Sequence, residues 1–296
     1  MKLPFLEQEI DVRTDLRESN DILDNPLALK ERMHEDGYLL IRDLHAKDEV
    51  LAARKVILEK LDGKGMLLPD APLMDGIFNP DYPEPTSTGS MGNKQLTKLP
   101  EFQAVVEGKP VMGFFKEFLG GEARTFDFKW LRTAGPGSGS HIHYDIVFMG
   151  RGTQDLYSCW TPFGDVSLDM GPIVFCLGSN RFDKVRKTYG QSDVDRDLIE
   201  GHFSHKPLDV IEKFGGYWAT TSFSAGDVII FSMFLMHASL VNTSDKIRIT
   251  ADTRYQLASE PIDERWIGEN PKGHYSWKQK DAKIEPLEES RRRWGV

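Results

Sequence analysis

The sequence has little cysteine, no long apolar run and no excess of positive charge. Its 296 residues include two cysteines, Cys159 and Cys176, and both lie in apolar stretches. We therefore expect them to be reduced core residues without a disulfide bond. The N-terminal residues are charged and contain no apolar signal segment, and no stretch approaches the roughly 18–20 apolar residues of a membrane span. These absences predict a cytoplasmic protein without a membrane anchor.

The formal net charge of −9 argues against a nucleic-acid partner or an anionic membrane surface. The short basic run at Arg291–Arg293 fits a solvated helix end better than a binding patch. With 40% hydrophobic and 28% charged residues, the composition is that of a globular protein with a sizeable core. We expect one domain over residues 1–296, a small-molecule substrate, and a monomer or a small homo-oligomer.

Helices are predicted in the first part of the chain, at about 25–120, after a polar lead-in at 1–24. Asn25-Pro26 is a favourable helix start, and Gly37 suits a left-handed helix end. The predicted elements are helices over 27–36, 47–61, 101–107 and 110–119 and a strand over 38–41. Between them, the segment 63–96 has five prolines and no periodicity, so it is either a functional lid or a disordered loop.

Strand patterns separated by turn residues fill the region from about 122 to 256. Strands are predicted around 126–130 and 141–148, and at 157–161, 172–177, 217–223, 228–233, 235–241 and 247–255. A charged, partly helical segment at 181–216 interrupts them, and a polar tail at 257–296 ends in a helix near 286–294. Many short strands separated by turn residues favour a sandwich or a jelly roll.

A candidate metal site is formed by His143, Asp145 and His237. On a strand, His143 and Asp145 would point to the same face, and His237 would arrive from another strand 94 residues later. Two imidazoles and one carboxylate suit non-haem Fe(II), because they leave coordination positions open. The alternative is that these residues are hydrogen-bonded polar groups without a metal.

His141 shares the predicted strand face, and an isomerase of the cupin type would use His141, His143 and His237. Such a site also has a glutamate a few positions later, whereas here the next glutamate is Glu200. We therefore interpret His141 as structural or as facing a substrate.

A buried anion-binding group is predicted 11 residues after His237, at Arg248. A guanidinium in an apolar barrel needs an anion, and its forked donors match a carboxylate of a dicarboxylic co-substrate. Ser239 shares the strand face of His237 and could reach the same anion. The alternatives are that Arg248 pairs with Asp245 or Asp252, or that Arg254 binds the anion.

Several motifs together resemble the phytanoyl-CoA dioxygenase family of Fe(II)/2-oxoglutarate oxygenases, from about Asp36 to Gln256. They are His143–Gly152 (HYDIVFMGRG), Cys159–Asp165 (CWTPFGD), Met170–Pro172 (MGP), Phe231–Met233 (FSM), His237–Ser239 (HAS), Asp245–Arg248 (DKIR) and Asp252–Gln256 (DTRYQ). The fold implied by the resemblance is a mainly β double-stranded β-helix with flanking helices, that is, a jelly-roll, cupin-like barrel.

The resemblance also implies roles for individual residues. His143, Asp145 and His237 would bind Fe(II), and Arg248 with Ser239 would hold the distal carboxylate of 2-oxoglutarate. Lys94 or Lys98 could touch the co-substrate as well. Asp145 occupies the position that halogenases in the family leave to a halide, so halogenation is not expected.

The activity implied is oxidation, above all hydroxylation, of a small organic metabolite with dioxygen, while 2-oxoglutarate is converted to succinate. Two other functions remain open at this point: a non-catalytic small-molecule-binding jelly roll, and a metal-dependent cupin-type isomerase. The sequence contains no motif that identifies the substrate.

Overall fold

The computed structural model describes residues 1–83, 87–88, 95–278 and 282–296. The helices of four or more residues among them are α1 (Pro26–Asp36), α2 (Lys47–Asp62), α3 (Pro100–Val106), α4 (Lys109–Leu119), α5 (Ile146–Met149), α6 (Asp183–Lys187), α7 (Val194–Asp197), α8 (Pro207–Phe214) and α9 (Leu287–Trp294). The strands are β1 (Lys2–Phe5), β2 (Gln8–Arg13), β3 (Tyr38–Ile41), β4 (Ser87–Thr88), β5 (Ala123–Thr125), β6 (Trp130–Ala134), β7 (Tyr157–Pro162), β8 (Ile173–Leu177), β9 (Tyr217–Ala219), β10 (Val228–Ser232), β11 (His237–Ser239) and β12 (Arg248–Leu257).

These strands form two sheets. The larger has the order β3-β10-β7-β12-β6-β4, with β5 also paired to β12, and the smaller has the order β1-β2-β9-β8-β11. Neighbouring strands run antiparallel except β2 and β9. A cavity between the sheets is lined from both sides, for example by Arg248 of β12 and His237 of β11. The fold is the predicted mainly β jelly roll with flanking helices.

Strand β12 shows how the larger sheet separates its two faces. Ile249 and Ala251 pack in an apolar cluster with helices α2 and α3, and Tyr255 packs with α1 and α4. Because side chains alternate along a strand, the other set of alternating residues faces the cavity. Those residues include the charged Arg248, Asp252 and Arg254. Helices therefore cover the outer face, and the inner face is left for polar chemistry.

Helix α1 has the two end signals predicted from the sequence. The Asn25 side chain accepts a hydrogen bond from the backbone N–H of Ala28 (3.1 Å), and Pro26 occupies the first helical position. Gly37 ends the helix in the left-handed region (φ 81°), and its N–H bonds to the carbonyl of Met33. The predictions for α2, α3, α4 and α9 are also confirmed within one or two residues.

Two predictions in the N-terminal half are wrong. Residues 1–24 are not only a polar lead-in, because β1 and β2 form a hairpin that extends the smaller sheet. Phe5 and the alternating Ile10 and Val12 are buried, and the Phe5 ring lies edge-on to Trp218 with centroids 5.0 Å apart. Two apolar residues on one face were too short a pattern to reveal the strand.

The strand expected around 126–130 is also displaced. Strand β12 pairs with β6 over its first half and with β5 over its last residues. The chain crosses between these two partners at 126–129, so Phe126 and Phe128 lie outside both strands.

Part of the proline-rich segment packs against the barrel. Met66 and Leu67 are buried, and backbone hydrogen bonds join Phe78 to Asp245 and Ile247 to Gly76. Residues 84–86 and 89–94 lie outside the described residues, so a lid over 63–96 stays a prediction. Cys159 and Cys176 are buried and free, as predicted. Within the described ranges, no helix combines the length and apolarity needed to cross a bilayer.

Gly37 provides a test of how tightly α1 joins the barrel. A Cβ at Gly37 would lie 3.0 Å from Leu235 Cδ1 and 3.2 Å from Asn180 Cγ, whereas one at Gly65 (φ 76°) would meet nothing within 4 Å. We expect Gly37→Ala to lower the free energy of unfolding by about 2 kcal/mol and Gly65→Ala by about 1 kcal/mol, because only the first adds crowding to the left-handed strain. Urea unfolding of both variants measures the difference, and equal losses would contradict the close contact.

Candidate metal centre

His143 and His237 lie directly opposite each other in an antiparallel backbone bridge. The N–H of each residue donates to the carbonyl of the other, both at 3.1 Å. His237 begins β11, which is held by β8 through the pairing of His237 with Phe175. The two imidazole centroids are consequently 4.3 Å apart, although 94 residues separate them in the sequence.

Asp145 reaches the same place by a turn rather than by a strand. The prediction of a strand over 141–148 is wrong, since bridge pairing stops at His143 and α5 begins at Ile146. The N–H of Ile146 donates to the carbonyl of Met233, and the chain turns away from the strand direction there. Asp145 Oδ1 nevertheless lies 3.5 Å from His143 Nε2 and 3.7 Å from His237 Nε2.

The two imidazoles are oriented for metal binding through Nε2. His143 Nδ1 lies 2.8 Å from the His141 carbonyl and His237 Nδ1 lies 2.9 Å from the Leu235 carbonyl. A carbonyl can only accept, so each Nδ1 carries a proton, and in the neutral form of the ring the lone pair is on Nε2. Burial, followed by the neighbouring His143, lowers the pKa of His237 to about 4. His237 is therefore neutral, as a metal ligand must be.

Asp145 is held as a carboxylate. Its burial would raise the pKa, but the guanidinium of Arg254 keeps the pKa of Asp145 well below its usual value. Arg254 Nη2 lies 3.0 Å from Asp145 Oδ2, and the Ser158 hydroxyl donates to the same oxygen. Oδ2 is thus occupied, and Oδ1 is left facing the two Nε2 atoms.

These three residues fit a divalent metal. In the described part of the chain they are the group of three or more potential ligands whose donor atoms all lie within 4.8 Å of one another. A metal about 2.0–2.2 Å from each donor could span that separation. Two imidazole nitrogens and one carboxylate oxygen on one side match the facial set that binds non-haem Fe(II).

Arg248 is buried at the same end of the cavity. Its guanidinium donates to the carbonyl of Gly171 and, at 3.4 Å, to the hydroxyl of Ser239. The predicted alternative, a pairing with Asp252, does not occur, because Asp252 forms its ion pair with Arg132. Burial lowers the pKa of Arg248 to about 10, and its Nε has no hydrogen-bond partner among the described residues. Arg248 and Ser239 are therefore placed together and available to an anion.

The cavity has a volume of about 740 Å³, which lies in the upper part of the range of roughly 300–1,000 Å³ for small-molecule sites. All five predicted site residues, His143, Asp145, His237, Ser239 and Arg248, line it. The volume exceeds what a metal and a five-carbon diacid need, so space remains for a second organic molecule.

His141 lines this cavity but is outside the metal-binding group. Its ring stacks on His205 with centroids 4.2 Å apart and lies 4.7 Å from that of His202. Both partners come from the inserted segment 181–216, which the sequence did not connect to the site. The ligand set of a cupin-type isomerase is therefore absent from the described residues.

The two candidate lysines for the co-substrate have different outcomes. Lys98 is exposed and is not among the described residues that line the cavity. Lys94 lies outside the described residues, so its role stays a prediction.

Sequence reasoning missed several residues of the site. Ser158 could have been recognised from the alternation of β7, which places it on the face of the cavity-lining Trp160. Arg254 was recognised on the inner face of β12, but its contact with Asp145 was not. For Trp266 and the following residues of the C-terminal segment no sequence signal exists, because their position depends on the path of the chain after β12.

The fold and the His–Asp–His group define a jelly-roll protein with a candidate metal site inside the barrel. The model of the phytanoyl-CoA dioxygenase (PhyH) family matches residues 33–250, which is more than half of the chain. The protein therefore belongs to the phytanoyl-CoA dioxygenase family. No curated protein matches the chain significantly.

Solved structures with low sequence identity share the fold. EctD from S. alaskensis, in its apo form, is 19% identical, with 97% of this chain and 94% of that chain covered and a TM-score of 0.56. The epimerase SnoN in complex with Fe³⁺, alpha ketoglutarate and nogalamycin RO is 16% identical, with 83% and 94% covered and a TM-score of 0.55. The carbocyclase SnoK from nogalamycin biosynthesis is 17% identical, with 86% and 89% covered and a TM-score of 0.54.

The contact between Arg254 and Asp145 can be tested in the metal-free protein. Arg254→Gln leaves a buried carboxylate without its cation, so we expect a loss of about 3 kcal/mol in the free energy of unfolding at pH 8. The loss should shrink as the pH falls, because the pKa of Asp145 rises in the variant and the protonated carboxyl needs no cation. A saturating divalent metal should restore part of the stability by replacing the lost charge. Urea unfolding at pH 8 and pH 5, with and without metal, measures all three effects.

Arg17→Gln is the matched control, because Arg17 pairs with Glu35 on the surface and such pairs contribute roughly 0–1 kcal/mol. A loss for Arg254→Gln that did not depend on pH or metal would show that the guanidinium only fills space.

Proposed function

We propose that this protein is an Fe(II)- and 2-oxoglutarate-dependent dioxygenase that oxidises, and specifically hydroxylates, a small organic molecule. The observation that carries the proposal is the arrangement of Asp145 Oδ1 at 3.5 and 3.7 Å from the Nε2 atoms of His143 and His237. Membership of the phytanoyl-CoA dioxygenase family supports it. So do the similar folds that were crystallised with Fe and with 2-oxoglutarate.

The proposed division of roles follows the contacts. His143, Asp145 and His237 bind Fe(II) on one face and leave the remaining positions open to the cavity. Arg248 and Ser239 bind the distal carboxylate of 2-oxoglutarate, because the guanidinium is buried and the hydroxyl lies beside it. With dioxygen, the bound iron and 2-oxoglutarate make available the oxidation of a C–H bond coupled to release of succinate and carbon dioxide.

The chain's own residues then position the reactants. Ser158 and Arg254 occupy Asp145 Oδ2, which favours binding of the metal through Oδ1 alone. The cavity wall of Trp130, Met149 and Trp160 excludes water and holds the C–H bond close to the metal face. Hydroxylation is the simplest outcome of such an arrangement. The similar structures also include an epimerase, SnoN, and a carbocyclase, SnoK.

The ligand set can be tested by substitution. We expect His143→Ala and Asp145→Ala each to lower 2-oxoglutarate turnover by roughly 100-fold or more, since changes one layer further from a metal already cost 10–100-fold. Equilibrium dialysis against Fe(II) should show the same loss of metal. His141→Ala should keep its metal, because its imidazole is not in the ligand group. A variant at Asp145 with near-normal turnover, or loss of metal only in His141→Ala, would contradict the proposal.

The co-substrate site is tested under anaerobic conditions. Addition of Fe(II) and then 2-oxoglutarate to metal-free protein should give a weak visible charge-transfer band that needs both components. The band should be lost in Arg248→Ala. Arg248→Lys keeps the charge without the forked donors, so the concentration of 2-oxoglutarate for half-maximal absorbance should rise about tenfold. A folded protein that gives no band would favour a non-catalytic binding protein.

A further inference from the structure

One wall of the cavity lies beyond the part of the chain that matches the family. The match ends at residue 250, yet residues between 266 and 278 also line the cavity. They are Trp266, Pro271, Lys272, Gly273, His274 and Lys278. We call this stretch the C-terminal wall. It lies outside the residues that match the family.

The C-terminal wall is fastened to the barrel by one buried carboxylate. Asp195, in α7, accepts hydrogen bonds at Oδ1 from the backbone N–H groups of Tyr275 and Ser276, both at 2.9 Å. Its Oδ2 lies 2.5 Å from Arg265 Nη1 and 3.0 Å from His274 Nδ1. Four partners on one carboxylate fix the wall on both sides of Lys272. The wall is therefore part of the built site.

The wall adds two cationic side chains, Lys272 and Lys278, to the cavity lining. Lys278 Nζ donates to the Lys272 carbonyl, and neither lysine forms an ion pair with another described residue. An ammonium group at the cavity without a carboxylate partner can bind an anionic ligand.

The charges around the cavity point in the same direction. The described lining includes five cationic side chains, Arg132, Arg248, Arg254, Lys272 and Lys278, and two acidic ones, Asp145 and Asp252. Both acids are already paired, with Arg254 and Arg132 respectively. A positive excess in a chain with a net charge of −9 favours an anionic ligand.

Next to these donors lies a continuous aromatic surface. The ring centroids are 4.6 Å apart for Phe128 and Trp130, 4.8 Å for Trp130 and Trp266, and 5.4 Å for Phe128 and Trp266. The rings are tilted by 57–66° to one another, and Trp266 is 1% exposed. Phe128 and Trp130 therefore provide the apolar surface that a cyclic molecule can contact, and Trp266 supports them from the protein side.

We propose that the substrate is an organic anion with a ring-shaped apolar body. The ring packs against Phe128 and Trp130, and the carboxylate or phosphate is bound by Lys272. This rests on the proposed function, because the organic anion is the molecule that shares the cavity with 2-oxoglutarate.

The test is calorimetric titration of the protein loaded with a redox-inert divalent metal and saturating 2-oxoglutarate. The probes are 2-naphthoate, 2-naphthyl phosphate, neutral 2-naphthamide and cationic 2-naphthylmethylamine. We expect one or both anions to bind about tenfold more tightly than the amide, with affinity falling as salt rises. The better of the two anions identifies the headgroup.

Two variants separate the wall from general charge effects. Lys272→Glu should remove the preference for the anion over the amide. Lys60→Glu, an exposed lysine of α2 outside the cavity lining, has the same charge change and should leave the preference intact.

Equal binding of anion and amide, tighter binding of the amine, or binding of none of the probes at millimolar concentration would overturn the proposal. So would an unchanged preference in Lys272→Glu. Failure of the proposed function would be recognised by a different result: the unaltered protein would give no visible band with Fe(II) and 2-oxoglutarate.

Discussion

The reciprocal backbone hydrogen bonds between His143 and His237 are the contact on which the site depends. They bring together two parts of the chain that are 94 residues apart, and they do so at two of the proposed metal ligands themselves. Because the pairing is backbone to backbone, it needs no particular side chain and leaves both imidazoles for the metal. Asp145 is then positioned by the turn that ends this pairing, through the bond from Ile146 N–H to Met233.

Ion pairs explain why the site tolerates a cluster of buried charges. Strand β12 alternates between an apolar outer face under the helices and an inner face with Arg248, Asp252 and Arg254. Buried ions destabilise a fold unless they are paired, and here Arg254 pairs with Asp145 while Asp252 pairs with Arg132. The charges of the inner face are thus distributed between the metal ligand and the neighbouring strand.

Much of this could be predicted from the sequence, though not always for the right reason. The family motifs correctly predicted the jelly roll, and strong end signals correctly placed α1. The proximity of His143 and Asp145 was inferred from strand alternation, but the structure achieves it with a turn into α5. The inferred proximity was nevertheless correct, because side chains two residues apart lie at similar distances in a strand and in a turn.

What could not be predicted depends on contacts between distant segments. The hairpin of β1 and β2 was missed because Ile10 and Val12 give only one short alternation. This pattern is too short to predict a strand, and the strand is stabilised by its pairing with β9. The C-terminal wall was missed because Asp195 holds it from about 70–81 residues away. The sequence around Asp195 is charged and has no local feature that identifies the hydrogen-bond partners of this buried aspartate.

Arg248 is the residue whose charge the barrel leaves incompletely balanced. Gly171 has φ 66°, and a Cβ there would lie 2.3 Å from the Leu240 carbonyl oxygen, so only glycine lets the backbone pass close enough to offer its carbonyl to Arg248. That carbonyl and the Ser239 hydroxyl are neutral acceptors, and they satisfy hydrogen bonds without neutralising the charge. The buried guanidinium therefore carries a desolvation cost that a bound anion would reduce. Because Asp252 is engaged with Arg132, the charge of Arg248 remains available to a ligand, and for this reason we propose that Arg248 binds the distal carboxylate of 2-oxoglutarate.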